Sequence, residues 1–324
     1  MPQTVLLTLP LADKLLDATF GDVRMLQFQG EASLSNPQWC SVLKEADAVL
    51  CTLTTAFDRE VFAQAPRLKV LSSVSVGVDH IDLETATSRG VAVGHTPGVL
   101  VDSTADLAIG LMLASCRRLV EGDRLIRSGQ WGEGWTTGFF LGTDLSGATV
   151  GLVGLGAIGQ AVARRLQGFG ARVLGWNRTP RSVPGVEIVD LDALLTTADI
   201  VSLHTALVPE TYQLMDSGRI SLMKPGATLI NTARGGLVDE TALIAALQSG
   251  RLQAGLDVYA REPLPPQSPL LTLDNVVMAP HIGSATAATR AAMLQRALQN
   301  LRLGLAGEAL PFCANPEVYA ERRV

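Results

Sequence analysis

The stretch TVGLVGLGAIG, residues 149–159, carries the strongest structural signal in this chain, because it joins an apolar strand pattern to a helical one through a Gly-x-Gly-x-x-Gly turn. Gly154 permits a tight turn, Gly156 lets the backbone approach an anion, and Gly159 allows the helix to pack closely on the strand. The first turn of a helix also presents unpaired amides to an anion. The stretch therefore predicts a Rossmann-type dinucleotide site, and a tight connection without a ligand is the alternative. The predicted cofactor contacts are Gly154, Leu155, Gly156, Ala157 and Ile158.

The end of the next strand, about twenty residues further on, indicates which dinucleotide is preferred. NAD-preferring sites place a carboxylate there for the ribose hydroxyls, and this chain has none. It reads Asn177-Arg178-Thr179, which offers a guanidinium and a hydroxyl to a 2′-phosphate. These residues predict a preference for NADP(H) over a still usable NAD(H). A solvated loop that is basic by chance is the alternative.

Strand and helix patterns alternate on both sides of this turn, which predicts parallel sheets covered on both faces. The predicted strands are Val5–Leu7, Val23–Phe28, Ala48–Cys51, Val70–Ser73, Val91–Val93, Thr149–Val153, Arg172–Leu174, Ile200–Leu203, Thr228–Asn231, Ala254–Asp257 and Val276–Met278. The predicted helices are Ala12–Phe20, Asn36–Ala46, Asp58–Ala65, Leu83–Arg89, one that follows an N-cap signal at 102–104, Ala157–Phe169, Leu191–Thr197, Ser217–Met223, Glu240–Gln248 and Ala287–Leu305. We expect two α/β domains, Rossmann-like or flavodoxin-like.

The helix after residues 102–104 is apolar nearly all round, so it is a buried helix of one domain or a helix shared between two domains or subunits. Residues 131–145 are rich in glycine and aromatic residues without a period, which predicts a loop.

Composition excludes several classes of protein. The chain has 324 residues, 47% of them apolar, which suits about two globular domains and not a disordered chain. The net charge of −5 and a pI near 5.4 argue against nucleic acid as the main partner. The four cysteines form no CxxC pair, and no cluster has metal-ligand spacing, so no metal is expected. With neither a bilayer-spanning apolar run nor a signal-peptide pattern at the start, we expect a cytoplasmic protein without membrane contact.

Three polar segments follow predicted strands of the second half, at the edge where open α/β sheets bind ligands: residues 231–236, 257–263 and 279–283. Taken singly, each has an ordinary structural explanation. Together they supply the groups that reduce a 2-oxo acid. His281 can protonate the developing alkoxide, Glu262 can orient and charge that imidazole, and Arg234 can bind the substrate carboxylate.

Four motifs agree in order and spacing with the D-isomer-specific 2-hydroxyacid dehydrogenase family, which this chain resembles over nearly its whole length. They are Gly-Leu-Gly-x-Ile-Gly at 154–159, Ala-Arg-Gly-x-x-Val-Asp-Glu at 233–240, Asp-Val-x-x-x-Glu-Pro at 257–263 and Pro-His-Ile-Gly at 280–283. The resemblance implies a fold of the formate/glycerate dehydrogenase type. It also implies a substrate domain of residues 1–101 plus about 288–324, and a dinucleotide-binding domain of residues 102–287.

The resemblance also assigns site residues. It implies Arg234, Glu262 and His281 as the catalytic set, and Val76, Gly77, Arg234 and His281 as substrate contacts. Further cofactor contacts implied in this way are Thr104, His204, Pro209, Thr232, Ala233, Asp257, His281 and Gly283. The segment after His204 departs from the commoner His-x-Pro-Leu form at Ala206. A homodimer through residues 102–145 is implied. Within that region Trp135 either reaches the neighbouring subunit's site or packs on its own chain.

Among the subfamilies, the chain is most similar to glyoxylate/hydroxypyruvate reductases, which include enzymes that also reduce 2-ketogluconate. We expect NADPH-dependent reduction of glyoxylate and hydroxypyruvate to glycolate and D-glycerate, with His281 as the general acid. A 2-ketogluconate reductase or another D-2-hydroxyacid dehydrogenase is the alternative. A non-enzymatic corepressor that senses dinucleotides is a remote one, since a fold does not fix a function. Formate dehydrogenases are disfavoured because they carry a glutamine where this chain has Glu262.

Overall fold

The computed structural model describes residues 2–11, 20, 23–132, 134–179 and 181–321. The chain divides into two compact units: unit 1 comprises Met1–Val99 and Thr286–Val324, and unit 2 comprises Leu100–Ala285. Of the predicted helix Ala12–Phe20, all but Phe20 lies outside the described residues. No described helix is both long enough and apolar enough to cross a bilayer.

The strands are β1 Thr4–Leu7, β2 Arg24–Gln27, β3 Ala48–Cys51, β4 Val70–Ser73, β5 Ala92–Gly94, β6 Thr149–Val153, β7 Arg172–Trp176, β8 Glu187–Ile188, β9 Ile200–Leu203, β10 Thr228–Asn231, β11 Gln253–Leu256 and β12 Val276–Met278. The α-helices are α1 Pro37–Glu45, α2 Arg59–Ala63, α3 Leu83–Ser88, α4 Val101–Cys116, α5 Leu119–Arg127, α6 Ala157–Gly168, α7 Leu191–Thr197, α8 Ser217–Leu222, α9 Glu240–Gln248, α10 Ala287–Leu305 and α11 Val318–Glu321. Short 3-10 helices cover Pro209–Thr211, Gly235–Leu237 and Pro269–Thr272.

Unit 1 is built on a parallel sheet in the order β2-β1-β3-β4-β5, the flavodoxin-like arrangement. Every residue of its inner strands β1, β3 and β4 is buried, because both faces of the sheet are covered. The chain returns to this unit at its end, where the Asn315 side chain accepts from the Val93 amide at 2.8 Å and donates to the Val91 carbonyl at 3.0 Å. These two bonds fix the tail beside β5.

Unit 2 is built on a parallel sheet in the order β12-β11-β10-β9-β6-β7-β8. The strand order reverses between β6 and β9, and such a switch point is where open α/β sheets bind ligands. Successive residues of β10 point to opposite faces of the sheet and so belong to different apolar cores. Leu229 packs with α7, α8 and α9 on one face, and Ile230 packs with α4 and α6 on the other. The predicted α/β class with two parallel-sheet domains is confirmed.

The apolar helix α4 packs within unit 2, where Ala105, Ala108 and Met112 have no exposed surface. This agrees with a core helix of one domain. Helices α5 and α11, strand β8 and the three 3-10 helices were not predicted from the sequence. Helix α5 has no buried residue, and its N-cap, Arg118, is left-handed (φ 53°) without a capping side-chain bond, so the usual start signal is absent. Strand β8 is a two-residue exposed edge.

Candidate active site

The glycine turn has the geometry that its spacing predicts. Gly154 has φ +104°, and a Cβ there would lie 2.6 Å from the His204 carbonyl carbon and the Thr205 nitrogen, so both the backbone angle and the close approach require glycine. A Cβ on Gly159 would lie 2.1 Å from the Gly154 oxygen. Gly156 is the N-cap of α6, and apart from its chain neighbours no atom of the described residues lies within 4 Å of its Cβ position. That open space in front of a helix N-terminus fits a pyrophosphate.

Asn177 links the end of β7 to this turn. Its side-chain oxygen accepts from the Leu155 amide at 3.0 Å, and its amide nitrogen donates to the Thr179 carbonyl at 2.6 Å. Asn177 therefore shapes the glycine turn itself. Sequence reasoning assigned Asn177 only to the cofactor.

Arg178 already has a carboxylate neighbour. Its Nη1 lies 3.3 Å from Oε2 of Glu210, and both side chains are mainly exposed. Such exposed pairs contribute about 0–1 kcal/mol, so the guanidinium can exchange this partner for a phosphate. A second guanidinium is close by, since Arg181 donates to the Leu155 carbonyl at 3.2 Å. Neither Glu210 nor Arg181 was predicted from the sequence.

The three predicted polar segments follow β10, β11 and β12, which are neighbours in the sheet. His281 and Glu262 meet there, with Nδ1 2.6 Å from Oε2. The Glu262 side chain is 29% exposed and the His281 side chain 26%. Partial burial raises the pKa of Glu262. The hydrogen bonds from His281 and from the Tyr259 amide, together with the charges of His281 and Arg234, outweigh burial and hold this pKa below its ordinary value.

An ionised Glu262 can only accept hydrogen bonds, so Nδ1 of His281 carries a proton. Nε2 is then the ring atom left to give or take a proton. This arrangement, a carboxylate that fixes one nitrogen of an imidazole, is suited to general acid–base chemistry.

Asp257 holds the backbone on which His281 is mounted. His281 is left-handed (φ 54°), a conformation that costs a non-glycine residue about 1 kcal/mol. The Asp257 carbonyl accepts from the His281 amide at 2.9 Å, and its carboxylate oxygens accept from the amides of Ile282 at 2.7 Å and Gly283 at 2.8 Å. Asp257 is fully buried, and desolvation raises its pKa against the opposing effect of these amides. Sequence reasoning assigned Asp257 to the cofactor and missed this anchoring.

Thr104 completes the cluster around this turn. Its hydroxyl donates to the Gly283 carbonyl at 3.2 Å from the first part of α4. A Cβ on Gly283 would lie 3.3 Å from Oδ2 of Asp257 and 3.4 Å from Oγ1 of Thr104, which leaves little room for a side chain. Thr104, Asp257 and Gly283 therefore support the segment that carries His281.

Gly235 allows the Arg234 segment to lie against the Glu262 segment. A Cβ on Gly235 would lie 1.9 Å from both the carbonyl carbon and oxygen of Tyr259, so only glycine fits. Glu240 ties the same segments together by accepting from the Ala260 amide at 3.0 Å. Both residues lie in the 233–240 motif. Their roles depend on long-range contacts, so the only sequence signal was a glycine next to a candidate arginine.

The remaining predicted cofactor residues lie around the switch point and the end of β10. Nε2 of His204 is 2.9 Å from the Ser202 hydroxyl, and desolvation lowers the pKa of His204 to about 4, which keeps it neutral at physiological pH. Pro209 opens the short helix Pro209–Thr211. The Thr232 hydroxyl is buried and has no hydrogen-bond partner in the described part of the chain, so a polar group of a bound cofactor would satisfy it. Its neighbour Ala233 donates its amide to the Asn231 side chain at 3.0 Å.

The predicted substrate residues Val76 and Gly77 lie in unit 1, in the loop after β4. The Trp135 side chain is 84% exposed, so it makes little contact with the part of its own chain that the structure describes. Among the described residues, no group of three or more histidine, cysteine or carboxylate side chains could hold a metal ion.

Residues 109–283 match the NAD-binding domain of the D-isomer specific 2-hydroxyacid dehydrogenases. A glyoxylate reductase of Thermofilum pendens is 49% identical over 286 residues, which cover 86% of this chain and 84% of that protein. The TT0316 protein of Thermus thermophilus superimposes with a TM-score of 0.89 at 46% identity, over 96% of this chain and 100% of that one. An NADPH-dependent glyoxylate/hydroxypyruvate reductase from Sinorhizobium meliloti, in complex with NADP and malonate, gives 0.86 at 29% identity, over 98% of each chain.

The chain therefore belongs to the D-isomer specific 2-hydroxyacid dehydrogenase family, as its motifs predict. It is an NAD(P)-dependent oxidoreductase that uses a nicotinamide dinucleotide. Its relatives include glyoxylate reductases at 43–49% identity.

Proposed function

We propose that this enzyme uses NADPH to reduce glyoxylate to glycolate and hydroxypyruvate to D-glycerate. The observation that carries the proposal is the 2.6 Å bond between His281 Nδ1 and Glu262 Oε2, at the carboxyl edge of the same parallel sheet that carries the dinucleotide turn after β6. The glyoxylate reductases among its relatives support the choice of substrate.

The chemistry requires one hydride and one proton for each carbonyl group that is reduced, the aldehyde of glyoxylate or the ketone of hydroxypyruvate. A bound nicotinamide cofactor supplies the hydride. His281 transfers the proton from Nε2 to the substrate oxygen as negative charge develops there, and Glu262 stabilises the imidazole through Nδ1. Arg234 binds the substrate carboxylate and polarises the carbonyl. Addition of hydride to carbon and of the proton to oxygen gives the 2-hydroxy acid.

The residues proposed to hold the cofactor fit such a group on two observations. The space in front of Gly156 is open, and the Thr232 hydroxyl lacks a partner among the described residues. We assign the 2′-phosphate of NADPH to Arg178 and Thr179, because no carboxylate follows β7 to accept ribose hydroxyls. NADH remains a weaker cofactor in this proposal.

We assign substrate recognition to unit 1, where Val76 and Gly77 offer their backbone amides to a carboxylate, and cofactor binding to unit 2. We also propose a homodimer in the cytoplasm. The observation in favour of the dimer is an apolar surface on α5 and the loop that follows it, in which Leu119, Ile126, Trp131, Trp135 and Leu141 are 57–84% exposed. Light scattering coupled to gel filtration measures the oligomeric state.

The test of the proposed function is NADPH oxidation followed by absorbance with glyoxylate, hydroxypyruvate, 2-ketogluconate and pyruvate in parallel. We expect the highest kcat/KM for glyoxylate and hydroxypyruvate. Preference for 2-ketogluconate would replace the proposed substrate class, and no turnover with any of the four acids would refute the proposal. Replacing NADPH by NADH in the same assay tests the cofactor assignment.

A further inference from the structure

The loop after β4 has an unusual asymmetry in its backbone hydrogen bonds. Four successive carbonyls, from Ser75 to Val78, each accept a hydrogen bond from within unit 1. The donors are the Thr96 amide at 2.8 Å, His95 Nδ1 at 3.0 Å, the Ser75 hydroxyl at 2.7 Å and the Ile81 amide at 2.9 Å, in the order of the carbonyls. In contrast, none of the hydrogen bonds among the described residues has the amide of residue 76, 77 or 78 as its donor.

The anchored carbonyls fix the direction in which the neighbouring amide N–H groups of the loop point. In a trans peptide the carbonyl and the following N–H lie in one plane and point in opposite directions. Anchoring the Val76 carbonyl on His95 therefore turns the Gly77 amide away from His95. Anchoring the Gly77 carbonyl on Ser75 does the same for the Val78 amide. Successive free amides in a loop form a concave site for an anion.

The protons in this network have a single consistent arrangement. A carbonyl can only accept, so Nδ1 of His95 carries a proton, and the Ser75 hydroxyl donates to Gly77. The Ser73 hydroxyl, 2.7 Å from that of Ser75, must then be the donor to it. Nε2 of His80, 3.0 Å from Ser73, must in turn donate to Ser73. A directed chain from His80 through two serines ends on the Gly77 carbonyl.

His95 is itself held firmly at the end of β5. Its amide donates to the Phe312 carbonyl at 3.0 Å, and its carbonyl accepts from the Asn300 side chain at 3.1 Å. Asn300 is completely buried, and a Cβ on Gly94 would lie 2.6 Å from it. The imidazole is therefore a fixed donor to the loop.

We propose that His95 and Ser75 are positioning residues for the carboxylate of the substrate. His95 acts through the amide of Gly77, one of the two residues assigned to the carboxylate above, and Ser75 acts through the amide of Val78, which adds a third amide to the loop. The inference rests on the proposed function, in which this loop receives the carboxylate of a 2-oxo acid. Neither side chain needs to touch the substrate. Each keeps one peptide plane turned so that its N–H is available before the substrate arrives, which lowers the cost of binding.

The test compares KM for glyoxylate in four variants of the full-length enzyme. His95→Leu and Ser75→Ala should each raise KM about tenfold, the effect of losing one neutral hydrogen bond, while kcat and the KM for NADPH stay unchanged. His95→Asn should restore a near-native KM, because its Nδ2 occupies the position of Nδ1. Ser88→Ala is the matched control, since Ser88 also donates to a nearby carbonyl in unit 1, that of Thr85 at 3.0 Å, but is exposed on α3.

Equal damage by His95→Leu and His95→Asn, or a loss confined to kcat, would overturn the proposal. If His95→Leu does not fold, Ser75→Ala and Ser88→Ala decide the question. Titration of oxalate, a dicarboxylate with no reducible carbonyl, tests the positioning role of His95 and Ser75 separately from the proposed reductase activity. Weaker oxalate binding in Ser75→Ala but not in Ser88→Ala supports the positioning role even if the wild type reduces none of the four acids. Unchanged oxalate binding in both variants contradicts it.

Discussion

Replacement of Gly235 by alanine should disable the active site without touching any charged group. The new Cβ would lie 1.9 Å from the carbonyl carbon and oxygen of Tyr259. Non-bonded carbons keep about 3.5–4 Å apart, so the two backbone segments must separate by roughly 1.5 Å. The Tyr259 amide holds Oε1 of Glu262 at 3.0 Å, and Oε2 of the same carboxylate holds His281. The shift therefore reaches the proposed proton donor.

A misplacement of about 1 Å in a catalytic group can lower the rate about 100-fold, so kcat/KM of Gly235→Ala should fall by at least that factor. The free energy of unfolding should fall by about 1–3 kcal/mol, the usual effect of overpacking. The glycine turn at 154–159, which is assigned to the pyrophosphate, lies on a different strand, so the dissociation constant for NADPH should change much less than kcat/KM. Steady-state kinetics and fluorescence titration of NADPH measure the two quantities separately.

Gly236→Ala is the matched control, because a Cβ there would lie 3.0 Å from Cδ2 of Leu207, the end of a side chain that can rotate away. We expect near-native kinetics from it. A Gly235→Ala enzyme with kcat/KM within roughly threefold of wild type would refute the reasoning. Equal losses in both variants, or a parallel loss of NADPH binding, would also refute it.

Three further predictions concern charge and burial. Glu262→Gln should lower kcat about 10–1,000-fold with NADPH binding intact, measured by steady-state kinetics. The pKa of Glu262 is lower in the folded protein than its ordinary value of 4.5, so the ionised carboxylate stabilises the fold above pH 4.5 and this stabilisation is lost as the pH falls through the folded-state pKa. Urea titrations below pH 4.5 should therefore show a smaller loss of unfolding free energy with falling pH in Glu262→Gln than in wild type. Arg178→Asp should change the ratio of kcat/KM with NADPH to kcat/KM with NADH by at least about tenfold in favour of NADH. Glu210→Gln removes the carboxylate beside Arg178 and should lower the KM for NADPH up to about fivefold. Burial raises the pKa of the Cys51 thiol to about 12, so a disulfide reagent at pH 8 should label the two partly exposed cysteines and leave Cys51 unmodified, as peptide mass spectrometry can show.

The strands were predictable because buried parallel strands are rich in apolar, mainly aliphatic residues. Ala48–Cys51 and Ile200–Leu203 have the bounds in the structure that their sequences predict. Helix α5 was not predictable by the same means. It starts at a left-handed Arg118 without a capping side chain, and its apolar residues Leu119 and Ile126 face no core of their own unit. Its sequence therefore lacks both the start signal and the burial on which such predictions depend.

The sequence allowed the chemical roles of the site residues to be predicted, but not the contacts that hold those residues in place. His281 and Glu262 could be paired from their chemical roles, and the structure joins them at 2.6 Å. The approach of Glu210 to Arg178, 32 residues apart in sequence, depends on how the loop after β9 folds. Likewise, the anchoring by Asp257 becomes visible only when His281 is known to be left-handed. Sequence spacing contains neither fact.

Backbone amides hold both carboxylates of the site, and Glu262 is bonded in addition by the side chain of His281. Glu262 accepts from the Tyr259 amide, and both carboxylate oxygens of Asp257 accept from successive amides of the turn that follows His281. Amides fixed by the fold need no reorganisation when charge moves during the reaction, which is the basis of electrostatic preorganisation. The positions of the charged side chains therefore depend on the positions of the backbone segments that bond them. A glycine that permits two backbone segments to touch is then as important for catalysis as the groups that carry the charge, and Gly235, beside the proposed substrate-binding arginine, is that glycine here.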